Sequence, residues 1–494
     1  MRTWGPLTAV CLGTFMLLLD VTIVVVALPD MAAALHASLS DLQWVVDGYA
    51  LALAALLLGA GAAADVLGRR RVHVAGVVVF AGASLLCGLA AGSGTLVAAR
   101  ALQGVGAAAM FATTLPLLGS VYQGRQRSAA LGVWGAVSGG AAAVGPVLGG
   151  LLAQGPGWRW IFFVNVPVSV AEVWLTLRVV PESRGPRGMR VDGAGTVAFA
   201  VFAGAVTYAV VRAGENGWTA PAALGAFAVS ALALAGFVLV ERRAAHPLLD
   251  LSLLRRPAFV GVMAGAFAFN GAAFGGMPYL SIWMQTLLGM SPVRGGLTLL
   301  PLTVAAMVVA VLVGRLLHGV PARLTIGGGL LLIGSGTFCQ AVLDAGAGWT
   351  ALLPGFVLVG VGTGFVSPTV AGAALASVPS ERAGMAGGAV NTVQQLGYAL
   401  GVAVFGTVLS SRMRGTLPDD AAHTLAGGGA DVLRGGFSEH ALRTAFASGL
   451  NTALLVAGAA GMVAGGLVLL LVRAPRAGAD AAAGPAKEAV APRG

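Results

Sequence analysis

Long apolar runs separated by short charged breaks dominate the chain. Each run is about 20 residues long, the length of α-helix that crosses a hydrocarbon core of about 30 Å. The strict alternation of membrane β-strands is absent, so we predict helical spans. The pattern predicts fourteen of them, near 6–28, 42–64, 72–92, 94–118, 128–152, 160–180, 194–212, 221–240, 257–284, 295–316, 324–344, 350–372, 384–410 and 448–472.

The composition supports an integral membrane protein of the all-α class. Hydrophobic residues make up 57% of the chain and charged residues only 10%, whereas soluble domains carry about 25% charged residues. The lipid bilayer is therefore the expected surrounding of most of the surface. The 75 glycines fit close helix contacts, because small residues let helix backbones approach each other in lipid.

The positive charge follows the membrane topology. A net charge of +10 suggests nucleic-acid binding in a soluble protein. With a cytoplasmic N-terminus, however, most of the 29 lysine and arginine residues fall in cytoplasmic segments. We therefore expect a multi-pass membrane protein with both termini in the cytoplasm and no nucleic-acid partner.

No cofactor or metal is expected, and an enzyme is not expected either. Cys11, Cys87 and Cys339 lie in apolar spans without metal-ligand spacing. The six histidines are predicted to lie outside the membrane core or at its edges, which leaves no nucleophile–base pair inside it. The chain also lacks the phosphate-binding loop of ATP-driven pumps. Any transport is then driven by an ion gradient.

A weak internal repeat suggests two homologous halves. Gly61–Arg71 follows the second predicted span and has an echo in Gly314–Arg323 after the tenth, and both are small residues followed by basic residues. We predict a six-helix bundle at 1–180, two inserted helices with loops at 181–256, a second six-helix bundle at 257–472 and a disordered cytoplasmic tail at 473–494. An outside loop is predicted from about Ser411 to Arg443.

A series of motifs identifies a resemblance over nearly the whole chain. The motifs are LDVTIVVVALPD (Leu19–Asp30), WVVDGY (Trp44–Tyr49), GAAADVLGRRR (Gly61–Arg71), LVAARALQGVGAA (Leu96–Ala109), GPVLGG (Gly145–Gly150), WRWIFFVNVP (Trp158–Pro167), SPVRGGLTLLP (Ser291–Pro301) and SERAGMAGGAVNTVQQLG (Ser380–Gly397). In these motifs and their order the chain resembles the major facilitator superfamily, and within it the 14-helix drug:proton antiporter family.

The resemblance implies a major facilitator fold of two six-helix bundles plus two central helices. It also implies efflux of amphiphilic drugs or antibiotics, driven by the proton gradient through alternating access, by a protein that we expect to act as a monomer. A proton-coupled exporter or importer of a narrower metabolite, such as a siderophore, amino acid or sugar, stays open as an alternative.

Four polar residues are candidates for proton coupling, because ionisable groups are costly inside the membrane. Asp20, Asp47 and Arg100 are predicted at similar depth, and Gln103 lies one turn below Arg100. Asp20 either carries the proton or forms a structural ion pair with Arg100 that never titrates. Asp47 either carries the proton or caps free amides near the start of its helix.

The loop after the second span is a candidate conformational latch. By resemblance, Gly61, Asp65, Gly68, Arg69 and Arg70 lock the two halves together, with Asp65 capping a helix N-terminus of the other half. The alternative is that this basic loop only sets the orientation of the helices in the membrane. Val66 stands where many relatives carry a basic residue, so part of the family's charge network is absent.

Small residues in the fifth span predict a packing face. Ala141, Gly145 and Gly149 recur at every fourth position, with Pro146 and Gly150 beside them. By resemblance, this element is associated with exporters rather than importers.

Neutral polar and aromatic residues are candidates for a substrate cavity, since they suit an amphiphilic organic molecule better than a divalent cation. Glu172 could face that cavity, or it could be a carboxyl kept neutral or paired with a polar neighbour. The candidates are Trp44, Tyr49, Asn165, Glu172, Asn270, Tyr279, Gln285 and Asn391.

Overall fold

A computed structural model describes residues 4–184, 192–244, 247–316, 320–378 and 383–472. The helices are α1 (Gly5–Leu35), α2 (Leu39–Leu67), α3 (Arg69–Gly88), α4 (Ser93–Val121), α5 (Gly124–Gln154), α6 (Trp160–Phe163), α7 (Asn165–Val179), α8 (Gly193–Asn216), α9 (Pro221–Arg243), α10 (Pro257–Phe274), α11 (Met277–Ile282), α12 (Pro292–Thr298), α13 (Leu300–Leu316), α14 (Ala322–Gln340), α15 (Leu353–Ala376), α16 (Ala383–Met413), α17 (Asp419–Ala426), α18 (Ala430–Leu433) and α19 (Glu439–Leu471).

The predicted number of membrane spans is confirmed. Within the described residues, fourteen helical segments are long and apolar enough to cross a membrane. The pairs α6 with α7, α10 with α11, and α12 with α13 each form one span. Because successive spans alternate in direction, α1 begins and α19 ends on the same side of the membrane. We call this the near side, and the opposite side the far side.

Several helices extend beyond their predicted ends. The first helix continues from the predicted end at 28 to Leu35, and it stops where His36 adopts a left-handed conformation with φ of 50°. Ser38 then starts α2 with a capping box to Asp41. Polar residues ended the predicted spans too early, because a helix need not stop where it leaves the hydrocarbon.

The segment predicted as an outside loop is partly helical. It contains α17 and α18, and the last long helix begins at Glu439 rather than near 448. The predicted disordered tail at 473–494 lies outside the described residues.

The helices form two bundles, α1–α7 and α10–α19, which we call the first and second bundles. Glycine lets helices approach closely in both. A Cβ added at Gly106 in α4 would lie 2.6 Å from the backbone nitrogen of Phe80 in α3. In the second bundle, a Cβ at Gly336 would lie 2.9 Å from the carbonyl oxygen of Gly355. Backbone contact of this kind is how helices gain packing energy in lipid.

The inserted pair, α8 and α9, bridges the two bundles. Helix α8 packs against both α2 and α16. The Thr407 hydroxyl donates to the carbonyl of Val210 over 2.9 Å, and the Arg414 guanidinium donates to the carbonyl of Glu215 over 2.7 Å. The pair is therefore bonded to the second bundle at its far-side end.

The two bundles meet closely on the far side. The Gln285 amide donates to the Val26 carbonyl over 2.7 Å, and the Gln43 amide donates to the Tyr279 hydroxyl over 3.0 Å. Helix α5 touches α12, where a Cβ at Gly150 would lie 2.6 Å from the carbonyl oxygen of Pro292. These contacts close the interface at its far end.

The near half of α5 differs from its far half. Added Cβ atoms at Gly132, Gly135 and Gly139 would have no described atom within 4 Å. The close contact of α5 with the second bundle is therefore confined to its far half among the described residues.

We predict that Gly296→Leu opens the far end of the interface. A Cβ at Gly296 would overlap the carbonyl oxygen of Pro146, and backbone cannot move aside as a flexible side chain can. Overpacking costs about 1–3 kcal/mol, which shifts a two-state equilibrium by roughly 5–150-fold. Spin labels at the exposed residues Gln154 and Asp344 would report the change as a longer distance between the bundles.

The labelling requires Cys339→Ser, because Cys339 is exposed. Gly225→Leu is the matched control, since Gly225 is an exposed helical glycine whose added Cβ meets nothing within 4 Å. An unchanged distance distribution in Gly296→Leu would contradict the close contact as the element that closes the far side.

Candidate functional site

Asp20 lies at the centre of a buried polar cluster inside the first bundle. It is 0% exposed on α1, and two helices, α4 and α7, supply its partners. The Arg100 guanidinium pairs with Oδ2 over 2.5 Å, while the amides of Gln103 and Asn165 donate to Oδ1 over 2.8 and 3.0 Å. The sequence placed Asp20 and Arg100 at similar depth and Gln103 one turn below Arg100, and the structure brings these three residues into contact.

The Arg100 guanidinium has further contacts besides Asp20. Its Nε donates to the Val45 carbonyl over 3.0 Å, and its Nη1 also donates to the Gln103 side-chain oxygen over 2.7 Å. The Tyr49 ring lies 4.4 Å from the guanidinium carbon. A buried ion pair needs further hydrogen bonds to its remaining donors and acceptors, and the Val45 carbonyl and the Gln103 side-chain oxygen supply two of them.

Two predicted cavity residues belong to this cluster instead. Tyr49 packs under Arg100 and is 3% exposed, while Asn165 bonds to Asp20 and is 1% exposed. Both lie in the interior of the first bundle rather than between the bundles. The sequence interpretation failed there because spacing gives the depth of a residue but not which side of its helix meets the other half.

Asp47 stands apart from the Asp20 cluster. It is 0% exposed, yet neither carboxyl oxygen has a hydrogen-bond partner among the described residues. The hydroxyls of Tyr279 and Tyr398 in the second bundle are within its electrostatic reach. An unpartnered ionised carboxylate is costly at such a position, so Asp47 stays a candidate proton site.

The predicted latch residues gather on the near side. Asp65 pairs with Arg69 over 2.8 Å, and Gly68 adopts a φ of 116°, which suits glycine. The Glu182 carboxylate accepts from the Arg70 amide over 3.0 Å. A cap by Asp65 on a helix of the second bundle is not among the described contacts in this conformation, and the latch role stays a prediction.

Gly61 has little contact in this region. The nearest atom to an added Cβ would be that of Ala112, at 3.9 Å. The position therefore has room for a closer neighbour.

The small residues of α5 form two contact surfaces. One faces α1: Ala141 is 0% exposed, and a Cβ at Gly149 would lie 2.8 Å from Ile23. Gly145 lies against the Thr22 side chain. The other surface, formed by Pro146 and Gly150, lies against α12. The predicted packing face is therefore present, and it links the first bundle to the second.

The remaining cavity candidates lie at different interfaces. The Trp44 and Tyr208 rings are 6.3 Å apart, so Trp44 faces the inserted pair. Tyr279 donates to the Val402 carbonyl over 2.6 Å, and Gln285 belongs to the far-side contact. The Asn391 amide donates to the Gly387 carbonyl of its own helix over 3.2 Å.

Asn270 is half-buried on α10. Of the cavity candidates, Tyr279 and Gln285 thus reach across from the second bundle to the first.

His73 is a buried polar residue that the sequence analysis missed. It is 1% exposed on α3, and its Nε2 lies 3.0 Å from Oε1 of Glu172. Its Nδ1 lies 2.8 Å from the Thr113 hydroxyl. The sequence analysis placed every histidine outside the membrane core or at its edges, and it did not foresee that His73 is buried inside the protein, where α3 buries one face within its second turn.

Glu172 is 0% exposed and lies inside the first bundle, where it pairs with His73. Of the alternatives predicted for this residue, the structure favours pairing with a polar neighbour over a place in the cavity. The spacing of polar residues on α7 could have indicated that Glu172 belongs to the buried face of this helix. Its buried residues are Asn165, Ser169, Glu172 and Thr176, and all four are polar.

Within the described ranges, no group of three or more His, Cys, Asp or Glu side chains could hold a metal ion. The site is instead a set of paired and unpaired carboxylates in and beside the first bundle.

Two helical bundles that enclose buried charges across fourteen spans define a polytopic membrane protein of the transporter type. The sequence profile of the Major Facilitator Superfamily matches residues 10–402. The chain belongs to that superfamily.

Its relatives include named resistance proteins. It is 34% identical to the tetracenomycin C resistance and export protein of Streptomyces glaucescens, over 96% of this chain and 92% of that protein. It is 36% identical to the multidrug resistance protein Stp of Mycobacterium tuberculosis, over 83% and 76%. A solved bacterial homologue of the human lysosomal transporter Spinster shares the fold, with a TM-score of 0.67, 17% identity, and coverage of 95% and 97%.

We predict that Asp20→Asn and Arg100→Gln each destabilise the protein, and that the double variant is more stable than their sum. Each single change leaves one buried charge unpaired, at a cost of about 3–5 kcal/mol. The double variant retains amide groups that can bond to Gln103 and Asn165. Thermal unfolding of the purified proteins would measure all four states.

The double-mutant cycle gives the interaction free energy between the two side chains, and this value decides whether they form a direct ion pair. Additive losses in the double variant would contradict a direct ion pair.

Proposed function

We propose that this chain exports amphiphilic drugs or antibiotics in exchange for protons. The buried pair of Asp20 and Arg100 is the observation that carries the proposal. Charged residues inside a membrane bundle are energetically costly, and those that are present usually mark a pathway for protons, ions or substrate. Resistance and export in the names of relatives at 34–36% identity support the choice of substrate class.

The proposed location is the bacterial cytoplasmic membrane, with the near side facing the cytoplasm. Arg69, Arg70 and Arg71 lie at the start of α3 on the near side, and Arg242 and Arg243 end α9 there. Positive charge of this kind favours the cytoplasmic side. The conformation with its far end closed then corresponds to a protein that receives substrate from the cytoplasm.

Asp20 is the proposed proton carrier. Its pairing with Arg100 suits a carboxylate, so we assign the described conformation to the state after proton release. When the far side opens, a proton that binds Asp20 cancels its charge and weakens the pair. The Arg100 guanidinium is then left to its other acceptors, the Val45 carbonyl and the Gln103 side chain. Protonation thereby changes the packing of α1 against α4.

Asp47 links this change to the second bundle. It lies on α2, whose Val45 carbonyl accepts from Arg100, and it is within electrostatic reach of Tyr279. A substrate between the bundles would meet Asp47 rather than Asp20, because the partners of Asp20 all come from the first bundle. Proton and substrate are then bound at neighbouring sites.

The direct test is transport by the purified protein in lipid vesicles. An imposed pH gradient should drive uptake of fluorescent cations or antibiotics, and an uncoupler should stop it. Siderophores, amino acids and sugars belong in the same panel. A gradient-driven flux restricted to one of those metabolites would replace the drug proposal.

We predict that Asp20→Asn abolishes gradient-driven transport, because an amide keeps the shape of the side chain but cannot release a proton. The flux should fall to the level of empty vesicles, while the variant still reaches the membrane. Asp431→Asn is the control, since its side chain on the far-side surface is 79% exposed. Wild-type flux in Asp20→Asn would contradict the assignment of Asp20 as the proton site.

We predict that Asp65→Asn slows transport without weakening substrate binding. Asp65 lies on the near side, about 27 Å along α2 from Asp47 at 1.5 Å per residue. It can therefore act on the balance of conformations but not on the binding site. Binding to the detergent-solubilised protein and flux in vesicles would be measured side by side. A tenfold loss of affinity with an unaltered distribution of conformations would reject the latch.

A further inference from the structure

The buried face of α7 is a line of polar side chains. Asn165, Ser169, Glu172 and Thr176 follow one another at intervals of four, three and four residues, which places them on one side of the helix. Each is at most 1% exposed. Ser, Thr and Asn are common at helix contacts in lipid, but a buried glutamate among them is rare and marks a functional site by default.

The line begins at Asp20 and leads toward the near side. Asn165 donates to Asp20, and Glu172 lies seven residues later, about 10 Å along the helix. Helix α1 gives the same offset, because Glu172 Oε1 lies where a Cβ of Gly13 would be, seven residues before Asp20. Any side chain larger than glycine at that position would displace the carboxylate.

His73 and Glu172 form a buried pair at the lower part of this line. The histidine bridges Glu172 and Thr113, at 3.0 and 2.8 Å. The second carboxyl oxygen of Glu172 has no described partner, and neither has the Thr176 hydroxyl one turn further. These two unpartnered groups provide the hydrogen-bonding capacity that a bound water molecule needs.

We propose that Asn165, Ser169, Glu172, Thr176 and His73 form a polar column that conducts the proton between Asp20 and the near side through the interior of the first bundle. The substrate path between the bundles would then be separate from the proton path. The inference rests on the proposed proton coupling and adds a route and two proton-carrying side chains to it.

The burial of Asp20 is the reason that a route is needed. Its carboxylate is 0% exposed, so a proton cannot leave directly to solvent in the described conformation. In the column, the O–H bond of Asp20 breaks and water beside Ser169 takes the proton. That water passes it to the free Oε2 of Glu172, which releases it to His73 or to water at Thr176. The column ends the cycle unchanged, and one proton has moved.

The stretch between Asp20 and Glu172 is the narrow part of the route. Ser169 is its polar group on α7, and its hydroxyl donates to the sulfur of Met16 over 3.2 Å. Methionine is flexible and adapts its shape readily, so rotation of Met16 can free the hydroxyl and admit water.

The surroundings of Glu172 contain other ionisable groups, but only His73 lies within 4 Å of it among the described residues. Helices α1 and α3 pack against α7. Their ionisable groups are Cys11, Asp20, Asp30, Arg69, Arg70, Arg71, His73 and Cys87.

The test uses Glu172→Gln, His73→Gln and Ser169→Val in the full-length protein. Glutamine keeps the hydrogen-bonding shape of Glu172 without a proton to exchange, and valine fills the narrow part. Glu241→Gln is the matched control, because Glu241 is also a buried carboxyl, at 4% exposed, with one oxygen bonded to the Leu249 amide and one without a described partner. It lies on the inserted pair, outside the column.

Flux in vesicles is measured against internal pH with an imposed gradient, together with equilibrium substrate binding. We expect Glu172→Gln to reduce gradient-driven flux by about 10²-fold, the low end for loss of a positioned proton-transfer group, and to flatten its pH dependence. His73→Gln and Ser169→Val should lower the flux in the same sense. Binding affinity should remain at the wild-type value in all three, and Glu241→Gln should keep the wild-type pH profile.

Three results would overturn the column. Wild-type flux and pH profile in Glu172→Gln, with a proton-driven wild type, would remove the route while leaving the proposed function intact. Loss of substrate binding in Glu172→Gln in parallel with flux would assign Glu172 a structural role. A wild type that ignores the pH gradient would reject the proposed function itself, and the column with it.

Discussion

The cost of placing charge inside a bilayer governs the first bundle. A guanidinium at this depth is tolerable only with partners, and Arg100 has a carboxylate, a carbonyl, an amide oxygen and an aromatic ring. Four helices, α1, α2, α4 and α7, must be in register for that set of contacts to exist. The need to pair this charge thus fixes the alignment of the four helices, and any change in the charge of Asp20 would alter the same contacts.

Glycine and small residues supply the other half of the architecture. Where α5 crosses α1 and α12, a methyl group at Gly145 or Gly296 would overlap a neighbouring atom. Such surfaces pack closely, and they hold the bundles together by dispersion attraction instead of directional hydrogen bonds. Among the described residues, the hydrogen bonds that join α1 and α2 to the second bundle come from the Gln285 and Gln43 amides. Separation of the bundles would therefore require new partners for these two amides.

The sequence was sufficient for the fold and for part of the site. Apolar runs of membrane length gave fourteen spans, and equal depth gave the approach of Asp20 to Arg100. The sequence was insufficient where a prediction depends on which neighbour a given face of a helix packs against. Asn165 and Glu172 point into the first bundle, and His73 is buried although three arginines precede it. Residue order fixes depth, whereas the burial of a face depends on neighbours that are distant in sequence.

The inserted pair makes the two lateral seams between the bundles unequal. Along one seam, α8 covers the junction of α2 and α16 with protein. Along the other, α5 meets α12 directly, and the outward side chains Val144 and Leu297 are 45% and 44% exposed to the surroundings. Among the described residues, a molecule dissolved in the acyl chains therefore meets direct contact between the bundles on one flank of the protein and the inserted pair on the other. The lipid phase thus has unequal access to the two sides of the interface.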